Sequence, residues 1–243
     1  MIKSLIFDYG GTLDTDGLHW SHVLWEAYTR TAARLPQARG LGEITWEAFR
    51  AAYVYGERTL GQRPIVQPED DFHTVLLRKV DLETQYLQEQ GLWTVPEAYR
   101  RAVIAALSDY CNRYVLRRME TSRRLLQHFS GKYRLVLVSN FYGNVRAVLR
   151  SYGLTCFGAV IESAEVGIRK PDPAIWQLGI EAAGTPAAQC AVIGDSFGKD
   201  IRPAHSLGCE TVWLKGRGWE REEADESLPT HVIHTIRELA DIY

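Results

Sequence analysis

The chain has 243 residues, 46% of them hydrophobic and 24% charged, with a formal net charge of -2. That length fits one large domain, or a core domain with a smaller companion. The interspersed charges exclude the clustered basic face of a nucleic-acid binder, and no apolar run approaches the ~20 residues of a membrane span.

Residues 5–7 form the first of several short apolar runs of strand length. The next stretch, roughly residues 16–114, holds no convincing strand. It carries amphipathic helical patterns over residues 20–35, 44–60, 71–90 and 96–114, and includes Trp20, Trp25, Trp46 and Trp93. This is too long for a crossover connection and predicts an inserted α-helical domain over 16–114. Strand-like runs resume at 135–138, 159–161, 191–193, 211–214 and 232–233. Helical patterns at 144–152, 174–183 and 200–207 separate them. The runs are rich in Val, Ile and Leu without alternation, as strands buried on both faces are. The succession predicts an α/β core with a doubly wound parallel sheet, built from residues 1–15 and 115–243. The charged segment 219–229 reads as an exposed loop. Cys111, Cys156, Cys190 and Cys209 are scattered without a CxxC pair and read as free thiols of a reducing compartment. The apolar stretch before Asp8 is too short for a signal peptide, so a cytoplasmic location is expected.

Four groups of residues carry chemistry at predicted strand ends. Asp8 ends the first strand and precedes Tyr9-Gly10-Gly11-Thr12. A carboxylate there can attack phosphorus while the turn's amides hold a phosphate, although Asp-x-Gly-Gly is also an ordinary turn. Ser139-Asn140 ends the second strand. Its hydroxyl can bind a phosphate oxygen, or the pair can simply cap a helix. Lys170, before Pro171-Asp172-Pro173, is either a surface charge or the cation that lets two anions meet. Asp195 ends a later strand and Asp200 follows one turn on. Magnesium favours one or two carboxylates with water and phosphate oxygens, whereas Asp200 alone also suits a helix start.

The four groups in this order resemble the motifs of the haloacid dehalogenase-like superfamily. Phe7-Asp8-Tyr9-Gly10-Gly11-Thr12-Leu13 is similar to its first motif, Val138-Ser139-Asn140 to its second, Gly167 through Lys170-Pro171-Asp172-Pro173 to its third, and Ile193-Gly194-Asp195-Ser196 with Asp200 to its fourth. The resemblance spans the chain, because the helical insertion falls where many members carry a cap domain. It implies a magnesium-dependent phosphohydrolase acting on a small phosphorylated substrate, as a monomer or homodimer. Asp8 would form an aspartyl-phosphate. Magnesium would be bound by Asp8, the Gly10 carbonyl and Asp195, with Asp200 nearby. Ser139 and Lys170 would hold the phosphoryl group, with Gly11, Thr12 and Asn140 lining its site. The cap would select the substrate and exclude water.

One departure stands out. Family phosphatases carry a second aspartate two residues after the nucleophile, where this chain has Gly10. General acid–base catalysis contributes about 10²–10⁴-fold, so its loss favours substrates whose leaving group is stable as an anion. Asp14, Asp16, His19 and His22 are candidate substitutes. Other readings are a metal-free dehalogenase, against which Asp195 and Asp200 argue, and a binding or regulatory protein that has lost turnover. A phosphonate-cleaving enzyme would need a cap lysine. Lys79 is the lysine of the insertion, and its expected place is the exposed surface. Tyr9, Phe141, Tyr142 and the insertion's tryptophans are expected to be core, with pocket lining as the alternative.

Overall fold

A computed structural model describes residues 1–219 and 224–243, so part of the charged segment 219–229 lies outside the described residues. The chain divides into two compact units, Met1–Trp20 with Leu116–Tyr243, and Ser21–Val115.

The first unit holds all six predicted strands, β1 (Ser4–Phe7), β2 (Arg134–Ser139), β3 (Ala159–Glu162), β4 (Cys190–Gly194), β5 (Glu210–Leu214) and β6 (His231–Ile233). They form one sheet in the order β3-β2-β1-β4-β5-β6, and every neighbouring pair is parallel. β1 and β4 are buried at every residue, which explains their unbroken apolar sequence. The strand order reverses at β1. The chain first builds outward through β2 and β3, then returns to build through β4 to β6. A ligand crevice is expected at the carboxyl ends of the strands at such a switch point. In register, Phe7 lies level with Leu137 of β2 and Ile193 of β4, so the residues after all three converge on that edge.

The helices, in chain order, are α1 (Trp20–Arg34), α2 (Trp46–Gln62), α3 (Phe72–Glu89), α4 (Glu97–Ser130), α5 (Val145–Ser151), α6 (Ser163–Val166), α7 (Pro173–Ala183) and α8 (Arg202–Ser206). α7 shows how local sequence sets an element. Asp172 caps it by accepting the Ala174 N–H at 2.9 Å, Pro173 opens it, and Gly184 closes it in the left-handed region at φ 63°. A Cβ at Gly179 would lie 2.7 Å from Val138 Cγ2, so glycine lets α7 sit close on the sheet. Trp176 of α7 is packed in the core with Ile6, Val138 and Val192. Burying each of those aliphatic side chains is worth roughly 1.5–3 kcal/mol.

Three expectations change. The fourth insertion helix does not stop near 114, because α4 runs on to Ser130. No Gly or Pro interrupts residues 97–130, and Val115, Met119, Leu126 and Phe129 continue the buried stripe. The pattern at 200–207 becomes a π-helical turn (Phe197–Ile201) followed by the short α8, with Pro203 in its first turn. Lys79 is not a surface charge. It is 5% exposed, ion-paired with Glu57, and its ammonium sits 3.9 Å from the Tyr53 ring centroid. Burial of a lysine requires such partners.

The second unit is helical, and its core combines aliphatic side chains such as Leu24, Val80 and Leu107 with rings such as Tyr28 and Phe49. Trp25 meets Trp46 edge-on at 5.4 Å, and Phe49 packs against Trp25, Trp46 and Tyr28. Thr45 and Asp71 cap α2 and α3 by accepting the Ala48 and Thr74 amides at 3.2 and 2.8 Å. The core expectation for aromatics holds for Tyr9 and Phe141 of the first unit. Both are buried and meet edge-on at 5.7 Å.

Candidate active site

The residues singled out at the strand ends come together at the switch point. Asp8 follows β1 directly and its N–H donates to the Ile193 carbonyl at 2.9 Å, which fixes it beside β4. Lys170 Nζ donates to Asp8 Oδ1 at 2.5 Å and to Asp200 Oδ1 at 2.9 Å. All three side chains are buried. Burial opposes charge on Lys170, but Asp200 and Asp8 outweigh it and hold the ammonium charged. Burial pushes the Asp8 carboxyl upward, and Lys170 opposes that push.

Thr12 lies at the centre of the cluster with no exposed surface. Its hydroxyl donates to Asp8 Oδ2 at 3.0 Å, accepts the Asp195 N–H at 3.1 Å, and lies 3.4 Å from Asp195 Oδ1. The hydroxyl therefore knits β1 to β4 instead of facing outward. Asp195 follows β4 and is half-buried. Gly11, at φ 96°, brings the backbone against it, and a Cβ there would overlap the Asp195 carboxylate. Asp200 uses its second oxygen to accept the Ser196 N–H at 3.0 Å. Its geometry serves Lys170.

Ser139 ends β2, is 1% exposed, and its hydroxyl makes no hydrogen bond to any described residue. Asn140 has a use the sequence did not reveal. Its side chain accepts the Lys170 N–H at 2.9 Å and donates to the Lys170 carbonyl at 3.2 Å, clamping the lysine's own backbone. The Lys170–Pro171 peptide bond is cis. Glu162, at the end of β3, is also new. It is buried and accepts the amides of Gly143, Asn144 and Val145, so it holds the loop that follows Ser139 and Asn140.

Among the candidate proton carriers, Asp14 is fully buried and accepts the Gly11 N–H at 2.7 Å and the Trp20 Nε1–H at 2.8 Å. The Gly11 amide is thus turned to Asp14. Burial raises Asp14 to about 7 in spite of these donors. Asp16 accepts the Ile236 N–H at 2.7 Å. The His19 ring meets Trp219 edge-on at 5.2 Å, and His22, in the second unit, stacks on Trp46 at 5.6 Å.

The donor set fits a divalent cation. Ligand atoms of Asp8, Asp195 and Asp200 lie within 4.8 Å of one another. Lys170 pairs with Asp8 and Asp200, and Asp195 has no ion-pair partner among the described residues. Burial first, and then Asp8, Asp200 and Asp14, push Asp195 well above the usual carboxylate range. A hard cation with oxygen ligands relieves that repulsion.

Comparison with known proteins identifies the family. The model of the haloacid dehalogenase-like hydrolase family matches residues 2–208. The chain is 30% identical over 216 residues to a phosphoserine phosphatase of Thermus thermophilus, covering 88% of this chain and 80% of that protein. It is 33% identical over 104 residues to haloacid dehalogenase-like hydrolase domain-containing protein 3 of Danio rerio, where the match spans 42% of this chain and only 43% of the relative. A dehalogenase crystal structure superposes with a TM-score of 0.62 at 17% identity, covering 100% of this chain and 97% of that one. At that identity the likeness concerns the fold.

Proposed function

The chain belongs to the haloacid dehalogenase-like hydrolases, and on that premise we propose that it is a magnesium-dependent phosphohydrolase working through an aspartyl-phosphate on Asp8. The observation that carries the reading is the ion triad at the sheet's switch point, in which buried Lys170 bridges Asp8 and Asp200 at 2.5 and 2.9 Å. The phosphoserine phosphatase relative supports the phosphate chemistry.

In the first half-reaction an Asp8 carboxylate oxygen forms a bond to phosphorus. The bond from phosphorus to the leaving oxygen breaks, and that oxygen departs with its electron pair. In the second, a water oxygen bonds to phosphorus and Asp8 leaves as a carboxylate, while the water's proton passes to the phosphate product. Lys170 neutralises charge on the phosphoryl oxygens, and Asp200 and the Asn140 side chain keep it in place. The open Ser139 hydroxyl is a donor for a phosphoryl oxygen. Thr12 fixes the orientation of Asp8 against Asp195. Magnesium would be held by Asp8, Asp195 and the Gly10 carbonyl, and when bound it supplies charge neutralisation for the phosphate. Residues 16–114 are assigned as the cap domain.

Gly10 shapes the substrate range. No side chain at this position carries a proton to the leaving group, and the carboxylates of Asp14 and Asp16 are occupied by backbone amides. The proposed substrates are therefore small phosphorylated metabolites with low-pKa leaving groups, such as anomeric sugar phosphates or acyl phosphates. Rates across phosphate esters of graded leaving-group pKa test this. A steep fall with rising pKa is expected, and a flat dependence contradicts it. Halide release from 2-haloacids in the absence of metal would replace the phosphatase reading with a dehalogenase.

A further inference from the structure

One buried aromatic side chain contacts both Lys170 and the backbone that leads into Asp200. Trp176 of α7 has no exposed surface. Its ring faces Lys170 Nζ, 4.4 Å from the ring centroid. Its indole Nε1–H donates to the Lys199 carbonyl at 3.0 Å. That carbonyl belongs to the peptide bond joining Lys199 to Asp200, and the N–H of the same bond donates to the Ser196 carbonyl at 2.9 Å. The peptide plane that launches Asp200 is thus held at both edges, one of them by Trp176.

We infer that Trp176 is a positioning residue that fixes Lys170 and Asp200 relative to Asp8, through its ring face on one side and its indole N–H on the other. The inference rests on the phosphohydrolase reading of the site. A lysine stem has four rotatable bonds and loses much entropy when its head is fixed, whereas a tryptophan has two and is here locked among Ile6, Val138 and Val192. A cation over a desolvated indole face is attracted to it. The ring also acts where Asp8 cannot. Once Asp8 carries the phosphoryl group its own carboxylate charge is gone, whereas the ring and Asp200 still hold the ammonium for the attack of water. The second contact falls on the π-helical turn Phe197–Ile201, and turns of this kind are frequent at functional sites.

Two readouts test this. In protein labelled with ¹³C at lysine Cε, the resonance that disappears in Lys170→Ala should be shifted upfield by the indole ring current. It should return to the ordinary lysine range in Trp176→Leu and stay shifted in Trp176→Phe. This readout needs no turnover, so it stands even if Asp8→Asn shows the phosphohydrolase reading to be wrong. In the activity assay Trp176→Leu should lower kcat about tenfold with KM changed less than about twofold, and Trp176→Phe, which keeps a ring but loses the indole N–H, should lower it less. In the Lys170→Ala background Trp176→Leu should change the residual rate less than about twofold. A tenfold loss that persists without Lys170, or a Lys170 resonance unmoved by Trp176→Leu, overturns the inference. Should Trp176→Leu fail to fold, Trp176→Phe decides. It keeps an aromatic ring at this position, so an unshifted Lys170 resonance there is contradictory.

Discussion

Asp14 Oδ1 accepts the Gly11 N–H at 2.7 Å while its other oxygen accepts the Trp20 indole N–H at 2.8 Å. One fully buried carboxylate therefore shapes the turn after the nucleophile and anchors the first residue of α1. Asp14→Ala removes the acceptor of the buried Gly11 N–H, at about 1–3 kcal/mol, and breaks the Trp20 indole contact as well. Trp20→Phe removes one donor and leaves the Gly11 contact in place. Thermal unfolding should show a larger drop for Asp14→Ala than for Trp20→Phe, with kcat falling in the same order. Equal effects of the two variants would mean that the Gly11 contact does not matter.

Gly11 has a second constraint. Its φ of 96° suits glycine, and a Cβ would overlap the Asp195 carboxylate. Backbone strain of this kind costs of order 1–3 kcal/mol. Gly11→Ala should lower stability by about that amount and weaken magnesium binding measured by calorimetry, because Asp195 must move. Unchanged metal affinity would contradict the close-approach account.

Gly10 is the opposite case. It is exposed, and a Cβ there would meet nothing within 4 Å. Gly10→Asp should therefore fold normally and fill the missing proton-transfer role. Hydrolysis of alkyl phosphates should rise by at least about tenfold, within the 10²–10⁴ range of general acid–base catalysis, with little change for aryl phosphates. No rise on alkyl phosphates would show that another residue already moves the proton.

Most of the core architecture was legible because its strands are buried on both faces and so carry unbroken apolar runs bounded by Gly, Asn or Asp. Asp8, Ser139 and Asp195 were legible for a related reason, being polar residues at the ends of such runs, and Lys170 through its place before Pro171-Asp172-Pro173. What the sequence hid was partnership. Nothing local says that the Asn140 amide clamps the Lys170 backbone, that Thr12 points inward, or that Trp176 faces an ammonium, since each contact joins residues far apart in the chain. Lys79 misled for the same reason. Its partner Glu57 and its ring Tyr53 lie on a different helix. The continuation of α4 was readable, because no breaker lies between 97 and 130, but an expected domain boundary near 115 masked it.

The second unit contains its own pH-sensitive group. Glu83 is fully buried and accepts the Tyr28 O–H at 3.0 Å. Lys79 lies on the same helix, Glu57 faces it from α2 and Cys111 from α4. Burial raises Glu83 to about 7, with Lys79 and the Tyr28 bond opposing, against roughly 4.3 for an unfolded glutamate. The folded chain therefore holds the proton where the unfolded chain has lost it. The stability this contributes is complete below about pH 4 and is lost as pH rises through 7. Glu83→Gln keeps an acceptor for Tyr28 and cannot titrate. Its melting temperature should fall less steeply than that of the unaltered protein between about pH 5 and 7, and parallel slopes would contradict the assignment.

The most direct measurement is hydrolysis of p-nitrophenyl phosphate, a phosphate ester with a low-pKa leaving group, with magnesium, with EDTA, and with Asp8→Asn. The account predicts activity that disappears both on chelation and in the Asp8→Asn protein. Activity that survives either change, or its absence from the unaltered protein with magnesium, would contradict an Asp8-centred phosphohydrolase.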